Sequence, residues 1–394
     1  MAKFNIAIEA NRHFNGELVA DFGYAKGATA QRFHQSLPGY QATPLQPLND
    51  LAKVIGVKQV LVKDESYRFD LNAFKMLGGV YAIARLLCEE YQLDIEQFDF
   101  AQFNQKIDKK LTFATATDGN HGRGVAWAAK QLGQNAVVYM PKGAAAERVN
   151  NIRNLGAECI VTDMNYDDTV RFVVERAQQQ GWKVVQDTAW EGYTDIPTWI
   201  MQGYSTLAME SLDQIEQQGL SQPTHIILQA GVGAMAGGVL GCFADKLGAN
   251  NFKAIIAEPE LADCIYRSGK QGDMVNVGGD MATIMVGLAC GEPNPLGWTV
   301  LKNCASYFVS CEDKVSALGM RVLGNPIGDD PRVVSGESGA IGAGLLAAVH
   351  FSDDKQQLMQ ALDLNQDSVV LVISTEGDTD VANYRDVVWL GKYA

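Results

Sequence analysis

At 394 residues, 47% of them hydrophobic and 20% charged, the chain is long enough for two or three compact units, each burying a core of its own. The formal charge of −14 argues against nucleic acid or an anionic membrane as the main partner, because a surface that follows phosphates needs net Lys and Arg. No run approaches the ~18 apolar residues of a membrane span, and the start, Met1 to Glu9, lacks the apolar core of a secretory signal, so a cytoplasmic location is expected.

Taken in order, the first forty residues read as a surface lead-in ending at Pro38 and Pro44, where prolines favour extended chain. The apolar spacing predicts a short helix over 48–55, a strand over 60–62 and a helix over 74–91. Residues 94–110 are polar and acidic and read as a solvated connection or surface helix. From there strand and helix alternate: strands 111–115, 136–140 and 159–161, with helices 122–132, 145–155 and 166–180. Strand 183–186 and a Trp-containing stretch, 187–199, lead to helix 200–217. Strand 225–229, helix 235–247, strand 253–257, a glycine-rich stretch 268–297, helices 313–323 and 339–349 and strand 368–373 follow. Short, continuously apolar strands between helices indicate parallel sheets covered on both faces. The fold class is therefore α/β, with two lobes, each an open, mostly parallel sheet flanked by helices. The lobes interleave in sequence, with 1–75 and 183–394 forming a large domain and 76–182 a small one.

Seven cysteines are scattered singly and read as reduced thiols; the five histidines show no metal-site spacing, so no metal centre is expected. Lys75 stands among apolar neighbours between a strand and a helix. A poorly solvated lysine there loses part of its preference for charge and becomes a nucleophile; the alternative is a helix-start lysine with its head in water. After strand 225–229 comes Gly231-Val232-Gly233-Ala234-Met235 at the start of a helix, where glycines permit close approach and free amides attract an anion. Glu258 lies 27 residues beyond Gly231, near the ~20 of a dinucleotide site, so a nicotinamide cofactor, a phosphorylated cofactor and a plain turn all remain open. In Thr115 to Gly124, Asp118 and Asn120 offer a carboxylate and an amide at a strand end, or simply a helix cap. Asp187 stands among aromatics as a cation site or a packed corner, and Ser374 and Thr375 end a buried strand with two hydroxyls.

Together, Asn72-Ala73-Phe74-Lys75, Thr117-Asp118-Gly119-Asn120-His121-Gly122, the glycine loop, Ala257-Glu258-Pro259, Gly336-Glu337-Ser338-Gly339-Ala340 and Ile373-Ser374 resemble the pyridoxal-phosphate enzymes of the tryptophan synthase β / threonine dehydratase fold (fold type II). Within that family the chain is similar to the diaminopropionate ammonia-lyase branch. The resemblance implies a Schiff base between Lys75 and pyridoxal 5'-phosphate, Asn120 on the cofactor's phenolic oxygen and the amides of Gly231, Val232, Gly233, Ala234 and Met235 around its phosphate. Ser374 or Thr375 would face the pyridine nitrogen. A hydroxyl there leaves that nitrogen largely unprotonated, favouring elimination over transamination. The large domain would carry the cofactor. Many dehydratases have a small residue immediately before Gly-Asn-His, where this chain has Asp118, and Asp187 adds a second carboxylate. An ammonium leaving group calls for such charge. The implied reaction is α,β-elimination from 2,3-diaminopropionate, through aminoacrylate, to pyruvate and two ammonia. Lys75 or Asp118 would remove the α-proton, from opposite faces. Serine as substrate, a serine or threonine dehydratase activity and a β-replacing synthase are the neighbouring alternatives, and a homodimer is the family habit.

Overall fold

A computed structural model describes residues 3–98, 100–107, 109–117 and 119–394, without the side chains of 101, 102, 104 and 167. Asp118 thus lies outside the described residues. The strands, in chain order, are β1 (Ile6–Ala10), β2 (Leu45–Pro47), β3 (Gln59–Asp64), β4 (Thr112–Ala116), β5 (Asn135–Met140), β6 (Glu158–Val161), β7 (Lys183–Val184), β8 (His225–Gln229), β9 (Lys253–Pro259), β10 (Tyr307–Cys311) and β11 (Val369–Ser374).

The chain divides into two compact units. The first comprises Met1–Tyr24, Gln41–Phe74 and Leu207–Ala394; the second, Ala25–Tyr40 and Lys75–Thr206. The first holds a seven-stranded sheet in the order β1-β10-β9-β8-β11-β3-β2. Its inner pairs are parallel, and β1 and β2 close the edges antiparallel. β11, Val-Val-Leu-Val-Ile-Ser, is buried along its whole length, as a central parallel strand covered on both faces must be. The helix Glu337–Phe351 beside it is buried on nearly every side, so its apolar residues follow no single stripe. The second unit holds a parallel sheet in the order β6-β5-β4-β7. Both are mostly parallel sheets flanked by helices, the α/β class expected.

In this division 25–40, Lys75 and 183–206 group with the second unit. The lead-in is not a surface strap. β1 pairs with β10, and the helix Tyr24–Gln35 buries Ala30, Phe33 and His34. His34 bonds through Nδ1 to Thr206 Oγ1 at 2.7 Å and donates through Nε2 to the Leu77 carbonyl at 2.9 Å. The stretch 200–217 is two helices, Asp195–Tyr204 and Thr206–Gln217. Between them the Ser205 amide reaches back to Gln202, three residues away, a tightened turn that breaks the ladder. The glycine-rich stretch overlaps the end of the helix Cys264–Gln271 and the start of Pro295–Cys304. Phe98, in the stretch read as a solvated connection, packs edge-on to Phe33 with ring centres 4.7 Å apart.

Candidate active site

In the second unit, Lys75 immediately precedes the helix Met76–Glu90. The helix Asn120–Gln131 crosses it so closely that a Cβ on Gly124 would lie 2.9 Å from the Met76 backbone and 3.1 Å from the Lys75 carbonyl carbon. Glycine is what allows the first turn of that helix, with Asn120 and His121, to sit beside the lysine. The Lys75 ammonium donates to Asp187 Oδ2 at 2.9 Å, with the two side chains 20% and 10% exposed. Burial acts to raise the Asp187 carboxyl, but the Lys75 charge, then His121, outweigh it and hold the group well below the usual carboxylate range. The amine thus sits against a buried carboxylate.

Asp187 is placed by its own loop. Gln186 accepts from Thr115 Oγ1 and the Ala116 amide at 3.0 and 3.1 Å, while its own amide donates to the Tyr193 hydroxyl at 2.8 Å. Trp190 and Tyr193 stack at 4.1 Å. The stretch packs as an aromatic corner, with its carboxylate on the Lys75 ammonium. Sequence reasoning gave no role to His121 or Tyr204. The His121 Nε2 donates to the Val185 carbonyl at 2.8 Å, and its Nδ1 lies 3.8 Å from Asp187 Oδ2. Burial raises the Tyr204 phenol, which faces the charges of Lys75 and Asp187.

In the first unit, β8 ends in Gln229 and the chain turns through Gly231–Gly233 into the helix Ala234–Leu247. Gly233 has φ 88°, in the left-handed region where a Cβ is penalised. The first amides of a helix have no carbonyl within it to bond, and among the described residues none of the Gly231 to Met235 amides donates to a protein acceptor. A Cβ on Gly231 would lie 3.3 Å from the Gly287 carbonyl oxygen, and one on Gly287 would lie 2.9 Å from Ser338 Oγ. That hydroxyl is buried and has no hydrogen-bond partner among the described residues. Unsatisfied donors around a loop kept bare of side chains fit a phosphate group. Gly233→Ala is expected to weaken retention of a phosphorylated cofactor by roughly tenfold or more, since forcing alanine to positive φ costs about 1–2 kcal/mol. Equilibrium dialysis of the cofactor against wild type and variant measures it.

The hydroxyls after β11 are tied to this loop's strand. Gln229 Nε2 donates to the Ile373 carbonyl and to Thr375 Oγ1 at 2.9 and 2.8 Å, and Ser374 Oγ donates to Ser335 Oγ at 2.8 Å. Residues 72–74 close on the same segment: the Phe74 amide donates to the Thr375 carbonyl and the Gly377 amide to the Asn72 carbonyl, at 3.1 and 3.0 Å. Glu258 is committed elsewhere. Its carboxylate accepts from the amides of Ile265 and Tyr266 at 2.9 and 2.6 Å, capping the helix Cys264–Gln271. It is therefore spent on the backbone, which removes the ribose contact a nicotinamide reading needs.

Glu337, first in its helix, takes a hydrogen bond from Asn383. Burial, and then the Glu376 carboxylate, push it up from 4.5 to about 7. A raised carboxyl favours the folded chain most below its unfolded value, and that contribution is lost as pH rises through about 7. Glu337→Gln should therefore gain stability over wild type at pH 8, on the order of 1–3 kcal/mol, with the difference gone at pH 4. Urea midpoints at the two pH values check this.

No helix among the described residues is long and apolar enough to cross a membrane. Among those residues there is also no group of three or more His, Cys, Asp or Glu able to hold a metal ion.

Residues 37–376 match the family of pyridoxal-phosphate dependent enzymes, and the chain belongs to it. It is 66% identical over 396 residues to the diaminopropionate ammonia-lyase of Escherichia coli (strain K12), covering 100% of this chain and 99% of that one. It is 48% identical over 402 residues to the enzyme of that name from Salmonella typhimurium, with the same coverage. A crystal structure of the holo Escherichia coli enzyme superposes with a TM-score of 0.97 at 65% identity, over 100% of this chain and 99% of that one. Another, of the same enzyme with an aminoacrylate-PLP azomethine reaction intermediate, superposes at 0.94 and 64%, with the same coverage. Threonine deaminase from Solanum lycopersicum, 18% identical with a TM-score of 0.71 over 98% of this chain and 93% of that one, shares the fold.

Proposed function

We propose that this chain is a pyridoxal-phosphate-dependent carbon–nitrogen lyase that eliminates ammonia from 2,3-diaminopropionate and yields pyruvate and two ammonia through aminoacrylate. The observation that carries this reading is the Lys75 ammonium held 2.9 Å from the buried Asp187 carboxylate. A negative charge in that place suits a substrate whose leaving group is cationic.

When bound, pyridoxal phosphate supplies the electron sink for the pair left behind by the α-proton. The amides of Gly231, Val232, Gly233, Ala234 and Met235 would hold its phosphate, Asn120 would bond its phenolic oxygen, and Lys75 would be its point of attachment. Ser374 or Thr375 would face the ring nitrogen. Thr375 is the better donor of the two, because its oxygen accepts from Gln229 while Ser374 gives its proton to Ser335. Lys75, or Asp118 from the opposite face, would take the α-proton, and Asp187 would keep negative charge beside the departing ammonia. We place the enzyme in the cytoplasm as a homodimer. Serine is a second candidate ligand, supported by a structure of the Escherichia coli enzyme in complex with D-serine.

Assays of pyruvate and ammonia on 2,3-diaminopropionate and serine test the reading. Two ammonia per pyruvate from the diamino acid, without a second nucleophile, is the expected result. Faster turnover of serine would favour a dehydratase, and a requirement for a second nucleophile would favour a synthase. Asp118→Asn should cost one enantiomer of 2,3-diaminopropionate roughly 10²- to 10⁴-fold in rate and spare the other. Equal residual activity on both sinks the two-base scheme.

A further inference from the structure

His121 is buried, at 2% exposure, and one of its nitrogens has a settled role. A carbonyl can only accept, so the Nε2 that meets Val185 O at 2.8 Å carries a proton. The other nitrogen, Nδ1, is buried without a hydrogen-bond partner among the described residues. Its neighbour is Asp187 Oδ2 at 3.8 Å, the oxygen that accepts from Lys75 at 2.9 Å. One carboxylate oxygen thus stands between an ammonium that has a proton to lose and a ring nitrogen able to take one.

Attachment of an aldehyde cofactor requires Lys75 as a free amine. Loss of its proton would leave the Asp187 carboxylate buried with its strongest counter-charge gone, which is costly unless another cation replaces it. Facing the ring among the described residues are Asp187 and, beyond it, Lys75. The phenols of Tyr193 and Tyr204 also face Asp187, and burial raises both, so they stay neutral. His121 is the group among these that can become the new cation.

We propose that His121 accepts the proton Lys75 gives up on becoming a nucleophile, so that the Lys75–Asp187 ion pair is exchanged for a His121–Asp187 pair. The inference rests on Lys75 being the attachment residue. One N–H bond of the ammonium breaks and one Nδ1–H bond forms, with Asp187 Oδ2 as the relay. Nε2–H is retained, the amine becomes neutral, the ring becomes imidazolium, and the net charge of the triad is unchanged. His121 acts through Asp187 and is a positioning residue. It keeps the buried carboxylate balanced whether or not the lysine is charged.

The test is nitrogen NMR of ¹⁵N-histidine-labelled protein over a range of pH, in the cofactor-free form, in the holoenzyme and in Lys75→Ala. With five histidines in the chain, the His121 signal is assigned by its absence from His121→Gln. The titration midpoint of that ring should lie at least about one unit higher in the holoenzyme and in Lys75→Ala than in the cofactor-free wild type, a tenfold change in the fraction of imidazolium at a given pH. Adding Asp187→Asn to Lys75→Ala should abolish the rise. A purely structural histidine, anchoring its helix to Val185, would titrate alike in all three forms, and that result overturns the proposal. If Lys75→Ala does not fold, the comparison of cofactor-free and loaded wild type decides alone. Borohydride reduction of the holoenzyme with peptide mapping separates the two failures: label away from Lys75 refutes the attachment site, whereas label on Lys75 with an unmoved His121 midpoint refutes only the proton exchange.

Discussion

Lys75→Ala is expected to lower turnover of 2,3-diaminopropionate by roughly 10⁴-fold, the upper range for loss of a proton-transferring group, because in the proposed scheme Lys75 is both the attachment amine and a base. Borohydride should fix the cofactor to a peptide containing Lys75 in wild type and to no peptide in the variant. Stability changes too, and its pH dependence has a definite sign. Burial acts to raise the Asp187 carboxyl, but Lys75 and then His121 hold it below its ordinary 3.8. A depressed carboxyl stabilises the folded chain above its unfolded value, and that stabilisation fades as pH falls through the folded one. With Lys75 gone the depression shrinks. The variant should therefore denature at lower urea than wild type at pH 7, and the two midpoints should converge progressively as pH falls below 3.8. A stability gap that widens in acid would refute the pairing.

Glu210→Ala should strongly destabilise the first unit. Lys63, Glu65, Arg68 and Glu210 are all at most 1% exposed. Arg68 makes two-pronged contacts with both carboxylates, at 2.8 and 2.8 Å to Glu65 and 2.7 and 2.8 Å to Glu210. Lys63 adds bonds of 2.6 Å to Glu210 and to the Thr43 carbonyl. Two cations balance two anions, so removing one carboxylate strands positive charge in the core, at a cost of about 3–5 kcal/mol. Adding Lys63→Met should recover part of the loss, because it restores neutrality. Burial acts to raise the Glu210 carboxyl, and Arg68 and then Lys63 outweigh it, bringing it from 4.5 down to about 2. Its contribution is therefore full above pH 4.5 and declines toward pH 2. The midpoint difference between wild type and variant should shrink over that window. The network also adjoins strained chain: Phe69, Asp70 and Asn72 have positive φ of 47°, 58° and 56°, just before Ala73-Phe74-Lys75. Such strain persists only where the surroundings over-determine it, and Arg68 is one of the anchors.

The sequence by itself determined the α/β alternation, because short Val- and Ile-rich strands between amphipathic helices leave little else for the chain to form. It also displayed the glycine loop, whose chemistry is local: a strand, a turn at positive φ and a helix start, all within about a dozen residues. Lys75 and the hydroxyls of Ser374 and Thr375 were visible through their motifs. Tertiary structure decided what depends on residues far apart in the chain. β1 finds its partner in β10 about 300 residues later, a pairing no local pattern can announce. Lys63 meets Glu210 across 147 positions. Glu258, which spacing alone left open as a ribose ligand, is consumed as a helix cap. The task proposed for His121 rests on a geometry that puts Nδ1 beside Asp187 while Nε2 is tied to Val185. Charge balance in a buried space belongs to the folded chain, because distance and desolvation, not residue type, set how strongly such groups feel one another.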